Sequence, residues 1–254
     1  MNLGFTAQDD HIAVERNRNR FLQKLSRDHA DSWPLVTLRQ VHSDIVHTID
    51  RPPEHPLAGD GMITNSPGVL LGILTADCIP VILVDVGRRA VGIFHAGWRG
   101  TVKRIVQKGV GEMQRHFGSR AQDIRAAIGP GIHSCCYQVG PEVHDKFHSQ
   151  FEYAVELFRE ENSSDLVRER YPLLFLTARA PGHSELPVNI FLDLIEANRR
   201  QLLDAGVPGT NIWSSPLCTF CRTDLLFSHR AERGVTGRMM AVVGIISRGK
   251  SSTS

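Results

Sequence analysis

From Gly68 to Phe117 the chain passes through three short apolar runs, each closed by a turn, and then an amphipathic helical pattern. The window Gly68 to Val84 is the most apolar of all, yet Asp77 and Pro80 interrupt it. A membrane span needs about 20 predominantly apolar residues. The window therefore reads as two buried strands, 69–74 and 81–84, around the turn Thr75-Ala76-Asp77-Cys78-Ile79-Pro80. A third strand, 90–95, ends at His95-Ala96-Gly97-Trp98-Arg99-Gly100. Val102, Ile105, Val106, Val110, Met113 and Phe117 follow at helical spacing, with Thr101 as the expected N-cap. A strand that feeds a helix through a glycine turn is a common place for active-site groups in α/β folds.

The remaining pattern extends this picture. Residues 12–25 predict a helix with a long polar face, 35–42 a strand, 124–128 a strand, and Pro141 the first turn of a helix carrying Val143, Phe147, Phe151 and Val155. Phe191, Leu194, Ile195 and Leu202 predict another helix, stopped by Gly206, and 212–214 and 239–246 predict strands. Residues 160–186 read as a polar surface excursion. No solenoid repeat or linker cuts the 254 residues. The expected fold is α/β in the α+β sense: one domain over 1–247, a sandwich of mixed sheets flanked by helices, with a polar tail at 248–254.

Bulk properties exclude several classes. With 29 basic and 27 acidic residues the net charge is +2, which leaves no electrostatic footprint for nucleic acid or a membrane surface. No basic stretch followed by an apolar run opens the chain, so a cytoplasmic location is expected. Five cysteines, an odd count, argue against a disulfide framework. Cys218-Thr-Phe-Cys221 has redox spacing, but two packed thiols are the commoner meaning.

Three segments carry groups that suit a metal: His42 in Arg39-Gln40-Val41-His42-Ser43, Cys78 and His95. Two imidazole nitrogens and one thiolate form a borderline-soft set matched to zinc, and three protein ligands leave a fourth position for water or substrate. On the residues alone, His42 has a competing reading. In a strand over 35–42 it shares a face with Val36 and Leu38, as a packed core histidine would.

Eight motifs, in order, resemble the YfiH family. They are Asn2-Leu3-Gly4 with Asp9-Asp10 and Asn17-Arg18; Arg39-Gln40-Val41-His42; Gly59-Asp60-Gly61; Thr75-Ala76-Asp77-Cys78; His95-Ala96-Gly97-Trp98-Arg99-Gly100-Thr101; Ile128-Gly129-Pro130 with Cys136-Tyr137; Cys218-Thr219; and Phe227-Ser228-His229-Arg230 with Thr236-Gly237-Arg238. His229 stands where the family commonly has tyrosine. The family is known as multicopper polyphenol oxidoreductases or laccase-like proteins, and later as purine nucleoside phosphorylases and peptidoglycan editing factors. The resemblance implies an α/β sandwich related to the cytotoxic-necrotizing-factor toxins. It also implies one zinc per chain on His42, Cys78 and His95, and phosphorolysis of adenosine, inosine, guanosine and methylthioadenosine together with deamination of adenosine.

Each implied activity sets its own demands. Zinc lowers the pKa of bound water from 15.7 to about 7. That suits attack on C6 of adenine, with a carboxylate as acid/base. Asp77 is the candidate for that role; its alternative is to orient His42 or His95. Cys78 and His95 join it as expected catalytic groups. Phosphorolysis needs an anion pocket, for which Gly97 at a helix start and the guanidinium of Arg99 are candidates. Arg39, Arg230, Asn2 and Arg18 are the other expected substrate or phosphate contacts. Trp98 and Tyr137 read as stacking surfaces or as core.

Laccase chemistry needs many histidines, typically in His-x-His pairs, and the twelve histidines here include none. Copper is better read as a substitute ion at the zinc ligands. A metal-free reading makes Cys78 the nucleophile and His95 the base of a cysteine hydrolase or amidase that edits cell-wall precursors, with Asp77 or His42 orienting the base. The expected partners are purine nucleosides and phosphate, with the oligomeric state open.

Overall fold

The computed structural model describes residues 1–6, 9–25, 33–162 and 188–246. It forms two compact units, Met1–His133 with Leu194–Ser254 and, separately, Ser134–Asp193. The expected excursion at 160–186 lies largely outside the described residues, as does the tail at 248–254.

In the first unit the chain opens with helix α1 (His11–Leu25), whose only buried residue is Val14. Strands β1 (Leu35–Thr37), β2 (Val46–Thr48), β3 (Gly61–Thr64), β4 (Leu70–Thr75), β5 (Ile79–Asp85) and β6 (Ala90–Ala96) follow. Then come helices α2 (Trp98–Val102) and α3 (Ile105–Phe117) and strand β7 (Ile124–Ile128). The second unit holds β8 (Gln138–Val139), α4 (Pro141–His148), β9 (Phe158–Asn162) and β10 (Val188–Leu192). The first unit resumes with α5 (Leu194–Asp204), β11 (Ile212–Ser214) and β12 (Met239–Gly244).

Two mixed sheets build the first unit. The larger has the order β11-β7-β5-β6-β3-β2 and the smaller β1-β4-β12. Val36, Leu71 and Ile73 of the smaller sheet meet Met62, Val91 and Ile93 of the larger in one apolar core. On the other face Phe94 packs against α3, where Gly109 leaves room for its ring. Strand β6 is thus covered on both faces and buried at every position. A strand covered twice reads as a continuous apolar run, which is why 90–95 stood out in the sequence. The architecture is the mixed α+β sandwich that the pattern predicted.

Four expected elements differ, the helix from Pro141 being taken up with the second unit. The strand predicted over 35–42 stops at Thr37, because the backbone at 41–43 winds around a carboxylate described below. The single helix predicted from 102 is two: α2 ends at Val102, and Arg104, at φ 61°, breaks the path before α3. Thr101 is therefore inside α2 and not its cap. Its hydroxyl accepts from Asn198 Nδ2 at 3.1 Å and its carbonyl from Gln201 Nε2 at 2.7 Å, which fastens α2 to α5. Phe191 lies in β10, paired with β9, and the helix begins only at Leu194.

The second unit is an antiparallel sheet of order β8-β10-β9. It has its own small core of Val143, Phe147, Phe151, Leu157 and Leu192. Pro141 occupies the first turn of α4 as predicted, but the helix ends at His148: Phe151 packs from beyond it, and Val155 is exposed in a separate 3₁₀ turn, Ala154–Leu157.

Two glycines of α3 give a paired test. A Cβ on Gly109 would lie 2.3 Å from Phe94 Cζ, whereas one on Gly111 would meet nothing within 4 Å. Urea unfolding should show Gly109→Ala destabilised by about 1–3 kcal/mol through overpacking. Gly111→Ala should be stabilised by about 0.5–1 kcal/mol through backbone entropy.

Candidate metal centre

Strand register delivers the site. Strand β6 runs antiparallel between β3 and β5, with Gly61 opposite Phe94 and Ile79 opposite Ala96. One step past each pairing, Asp60 stands across from His95 and Cys78 across from Gly97. The His95 amide donates to the Asp60 carbonyl at 2.7 Å, and His95 Nδ1 lies 2.8 Å from Asp60 Oδ1. A cross-strand pair at the end of a ladder thus fixes one imidazole.

The same carboxylate builds the segment that carries the other imidazole. Asp60 Oδ2 accepts from the Val41 amide at 3.2 Å, the Ser43 amide at 2.6 Å and the Ser43 hydroxyl at 2.7 Å. Oδ1 accepts from the His42 amide at 3.0 Å. Three consecutive N–H groups pointing at one carboxylate curl the backbone, and His42 takes a left-handed φ of 56°. His42 consequently leaves the core face predicted for it and is exposed. Its Nε2 lies 3.8 Å from Cys78 Sγ.

His42, Cys78 and His95 offer ligand atoms that all lie within 4.8 Å of one another. With His95 Nδ1 engaged by Asp60, the atom left is Nε2. Zn–S and Zn–N bonds of about 2.3 and 2.0–2.1 Å at a tetrahedral angle separate sulfur from nitrogen by about 3.6 Å. The observed 3.8 Å between Cys78 Sγ and His42 Nε2 fits that spacing. Gly97 leaves room for the cluster: a Cβ there would lie 2.9 Å from Cys78 Sγ and 3.0 Å from His42 Cδ2. His95 is buried, Cys78 half-buried and His42 exposed, so the cluster opens on the His42 side. The donor set, spacing and glycine cradle fit a tetrahedral ion with one position left for a small ligand.

Without an ion the three groups hold each other's charge. Burial alone would push the Cys78 thiol up; the positive His95 ring and hydrogen bonds from His42 and His95 outweigh it and bring the thiol down to about 6. Burial would likewise lower His95, but the Cys78 thiolate and the hydrogen bond to Asp60 raise it to about 9. Burial opposes ionisation of Asp60 too, yet His95 and Ser43 hold it well below the usual carboxylate range. The preferred state is a thiolate beside an imidazolium that rests on a carboxylate.

The other expected site residues divide. Asp77 is buried at φ 86°, with Oδ1 accepting the Thr219 hydroxyl at 2.6 Å and Oδ2 the Arg230 amide at 2.7 Å. The carboxylate that orients His95 is Asp60. Arg39, Arg99 and Arg230 are exposed, and the Arg99 guanidinium lies 4.3 Å over the Trp98 ring. Helix α2 is only five residues long, too short for a substantial dipole at Gly97. Asn2 and Arg18 tie the N-terminal segment down. Asn2 Oδ1 accepts from the Arg238 amide, Arg18 Nε donates to the Leu3 carbonyl, and the Arg18 guanidinium covers Phe5. In the sequence Asp60 stands out only as the middle of the Gly59-Asp60-Gly61 motif. The available signal was an aspartate between two glycines at the mouth of a strand that pairs with the one ending in His95.

A family model described as multi-copper polyphenol oxidoreductase laccase matches residues 1–246. The chain belongs to this family. Purine nucleoside phosphorylase YlmD of Geobacillus stearothermophilus is 35% identical, over 96% of this chain and 83% of its own length. Adenosine deaminase RL5, from an unknown prokaryotic organism, is 36% identical over 91% of this chain and 81% of its own. The crystal structure of the Bacillus licheniformis hypothetical protein YfiH superposes with a TM-score of 0.79 at 35% identity, covering 96% of this chain and 85% of that one. This member of the laccase-named family shares its fold with YfiH and much of its sequence with relatives named as nucleoside enzymes. Among its described residues no helix is long and apolar enough to cross a membrane.

Two outcomes follow from the Asp60 hub. In Asp60→Asn any amide orientation turns an NH₂ group toward N–H donors, so denaturant unfolding of the metal-free protein should show a loss of about 3–5 kcal/mol. Ser43→Ala, which removes one donor of several, should cost about 1 kcal/mol. Iodoacetamide alkylation of Cys78 in metal-free protein should rise with pH through about 6, as the depressed thiol ionises. A midpoint at the free-cysteine value of about 8.5 would contradict the thiolate–imidazolium pairing.

Proposed function

We propose that the chain is a zinc-dependent, cytoplasmic enzyme of purine nucleosides. It cleaves adenosine, inosine, guanosine and methylthioadenosine with inorganic phosphate and also deaminates adenosine. One observation carries the reading: three soft-to-borderline ligand atoms from distant segments converge within 4.8 Å, and the cluster opens to solvent on one side. Relatives named purine nucleoside phosphorylase and adenosine deaminase, matching over nine-tenths of the chain, support the substrate class.

His42, Cys78 and His95 would hold the ion, one per chain, with copper as a substitute at the same ligands. When bound, zinc supplies Lewis-acid polarisation of an oxygen and makes water more acidic. The chain's own residues do the rest. Asp60 holds the Nδ1 proton of His95, which keeps Nε2 turned to the cluster. Gly97 gives the cluster its space. The exposed guanidiniums of Arg230, Arg99 and Arg39 supply the forked donors that phosphate takes. In phosphorolysis a phosphate oxygen bonds to ribose C1′ as the bond to purine N9 breaks, giving ribose-1-phosphate and the free base. In deamination water replaces the 6-amino group, giving inosine and ammonia.

A second reading is favoured by the Asp60–His95–Cys78 relay. A thiolate, an imidazole and a buried carboxylate in series are the parts of a cysteine hydrolase, acting on an amide of a cell-wall precursor without metal.

Incubation of the zinc-loaded protein with a nucleoside panel, with and without phosphate, separates the two. Adenine and ribose-1-phosphate should form from adenosine only when phosphate is present. Cys78→Ala should lose both the ion and turnover. Full turnover after exhaustive chelation would overturn the zinc reading and favour the hydrolase.

A further inference from the structure

One carboxylate links two motifs that lie far apart in sequence. Asp77 precedes the ligand Cys78, and its side chain is buried. Its Oδ1 accepts from the fully buried Thr219 hydroxyl at 2.6 Å, and its Oδ2 from the Arg230 amide at 2.7 Å. Its carbonyl accepts from the Ile132 amide at 2.9 Å. Thr219 is itself anchored, its amide donating to the Gly131 carbonyl at 2.9 Å. Asp77 has a left-handed φ of 86°, a conformation that a residue with a side chain keeps only when its surroundings enforce it. The two side-chain hydrogen bonds are that enforcement. They connect the turn that presents Cys78 to the backbone that presents Arg230.

We propose that Asp77 is a positioning residue, which sets the ligand turn at Cys78 and the backbone at Arg230, and through Arg230 the affinity for the anionic co-substrate. The identity of that anion as phosphate rests on the phosphorolysis reading above. Both carboxylate oxygens already take protein donors, so the geometry gives Asp77 the work of a tie and not of a proton carrier.

Asparagine separates the two roles. In Asp77→Asn the amide oxygen still accepts from the Arg230 N–H. The amide nitrogen donates to Thr219 Oγ1, because a hydroxyl turns from donor to acceptor at little cost. Both ties survive, while proton transfer is lost. Asp77→Ala removes both ties, and Thr219→Val removes one with little change of shape.

The test uses wild type, Asp77→Asn, Asp77→Ala and Thr219→Val, each loaded with zinc and, separately, with cobalt. Inorganic phosphate binding is followed by calorimetry on the zinc forms, and kcat and KM for phosphate are measured with adenosine. The thiolate-to-cobalt absorption band reports the Cys78 turn with no substrate present. Asp77→Asn should keep the wild-type band and stay within about tenfold of wild-type phosphate affinity. Asp77→Ala should shift the band and weaken phosphate by more than about tenfold, in KM more than in kcat, with Thr219→Val between. Should Asp77→Ala fail to fold, Asp77→Asn against Thr219→Val carries the comparison. Loss of turnover in Asp77→Asn with band and phosphate affinity intact would overturn the proposal and make Asp77 a proton-transfer group. An unshifted band in Thr219→Val and Asp77→Ala would also overturn it. A wild type that binds no phosphate would overturn the phosphorolysis reading, while the cobalt band would still decide whether Asp77 sets the ligand turn.

Discussion

The Asp60 carboxylate is the interaction on which the site depends. It is fully buried and accepts five hydrogen bonds: three backbone amides of residues 41–43, the Ser43 hydroxyl and His95 Nδ1. A buried charge of this kind is tolerable only when its lone pairs are filled by well-placed donors, and here they are. Those donors come from the two segments that carry the histidines. One side chain therefore decides both where the exposed imidazole sits and which nitrogen the buried one presents.

The sheet explains why the cluster forms where it does. Strand β6 is covered on both faces and flanked by β3 and β5, so its end is held from both sides of the larger sheet. His95 occupies that end, with Asp60 and Cys78 brought in by the ladders on either side. The strand-to-helix turn then needs a residue without a side chain, because Cys78 and His42 fill the space beside Gly97. Left-handed backbone at His42 and Asp77 is stored strain at the same place. Each is held by a carboxylate, Asp60 for the first and its own side chain for the second.

The layers of the fold were legible because burial writes itself as hydrophobic pattern. β4, β5 and β6 are apolar runs bounded by turns, and α3 carries apolar residues at helical spacing. The candidate residues His42, Cys78 and His95 were legible as a donor set and as motifs of a known family. What the pattern hid were features caused by single hydrogen bonds between distant segments. The curl at 41–43 looks like a strand until Asp60 is placed opposite it. The break at Arg104 is invisible to periodicity, since Val102 and Ile105 keep helical spacing across it. Asp60 itself sits in the Gly59-Asp60-Gly61 motif, and its role comes from strand register, which that motif conveys only once β3 is paired with β6. Asp77 stood out as chemistry, yet its partners Thr219 and Arg230 lie 142 and 153 residues away.

The most direct measurement is anomalous diffraction at the zinc edge from crystals grown with the metal supplied. A single strong peak shared by His42 Nε2, Cys78 Sγ and His95 Nε2, with a fourth non-protein ligand on the His42 side, is the predicted result. Zinc bound elsewhere in the chain with nothing between those three atoms would contradict it.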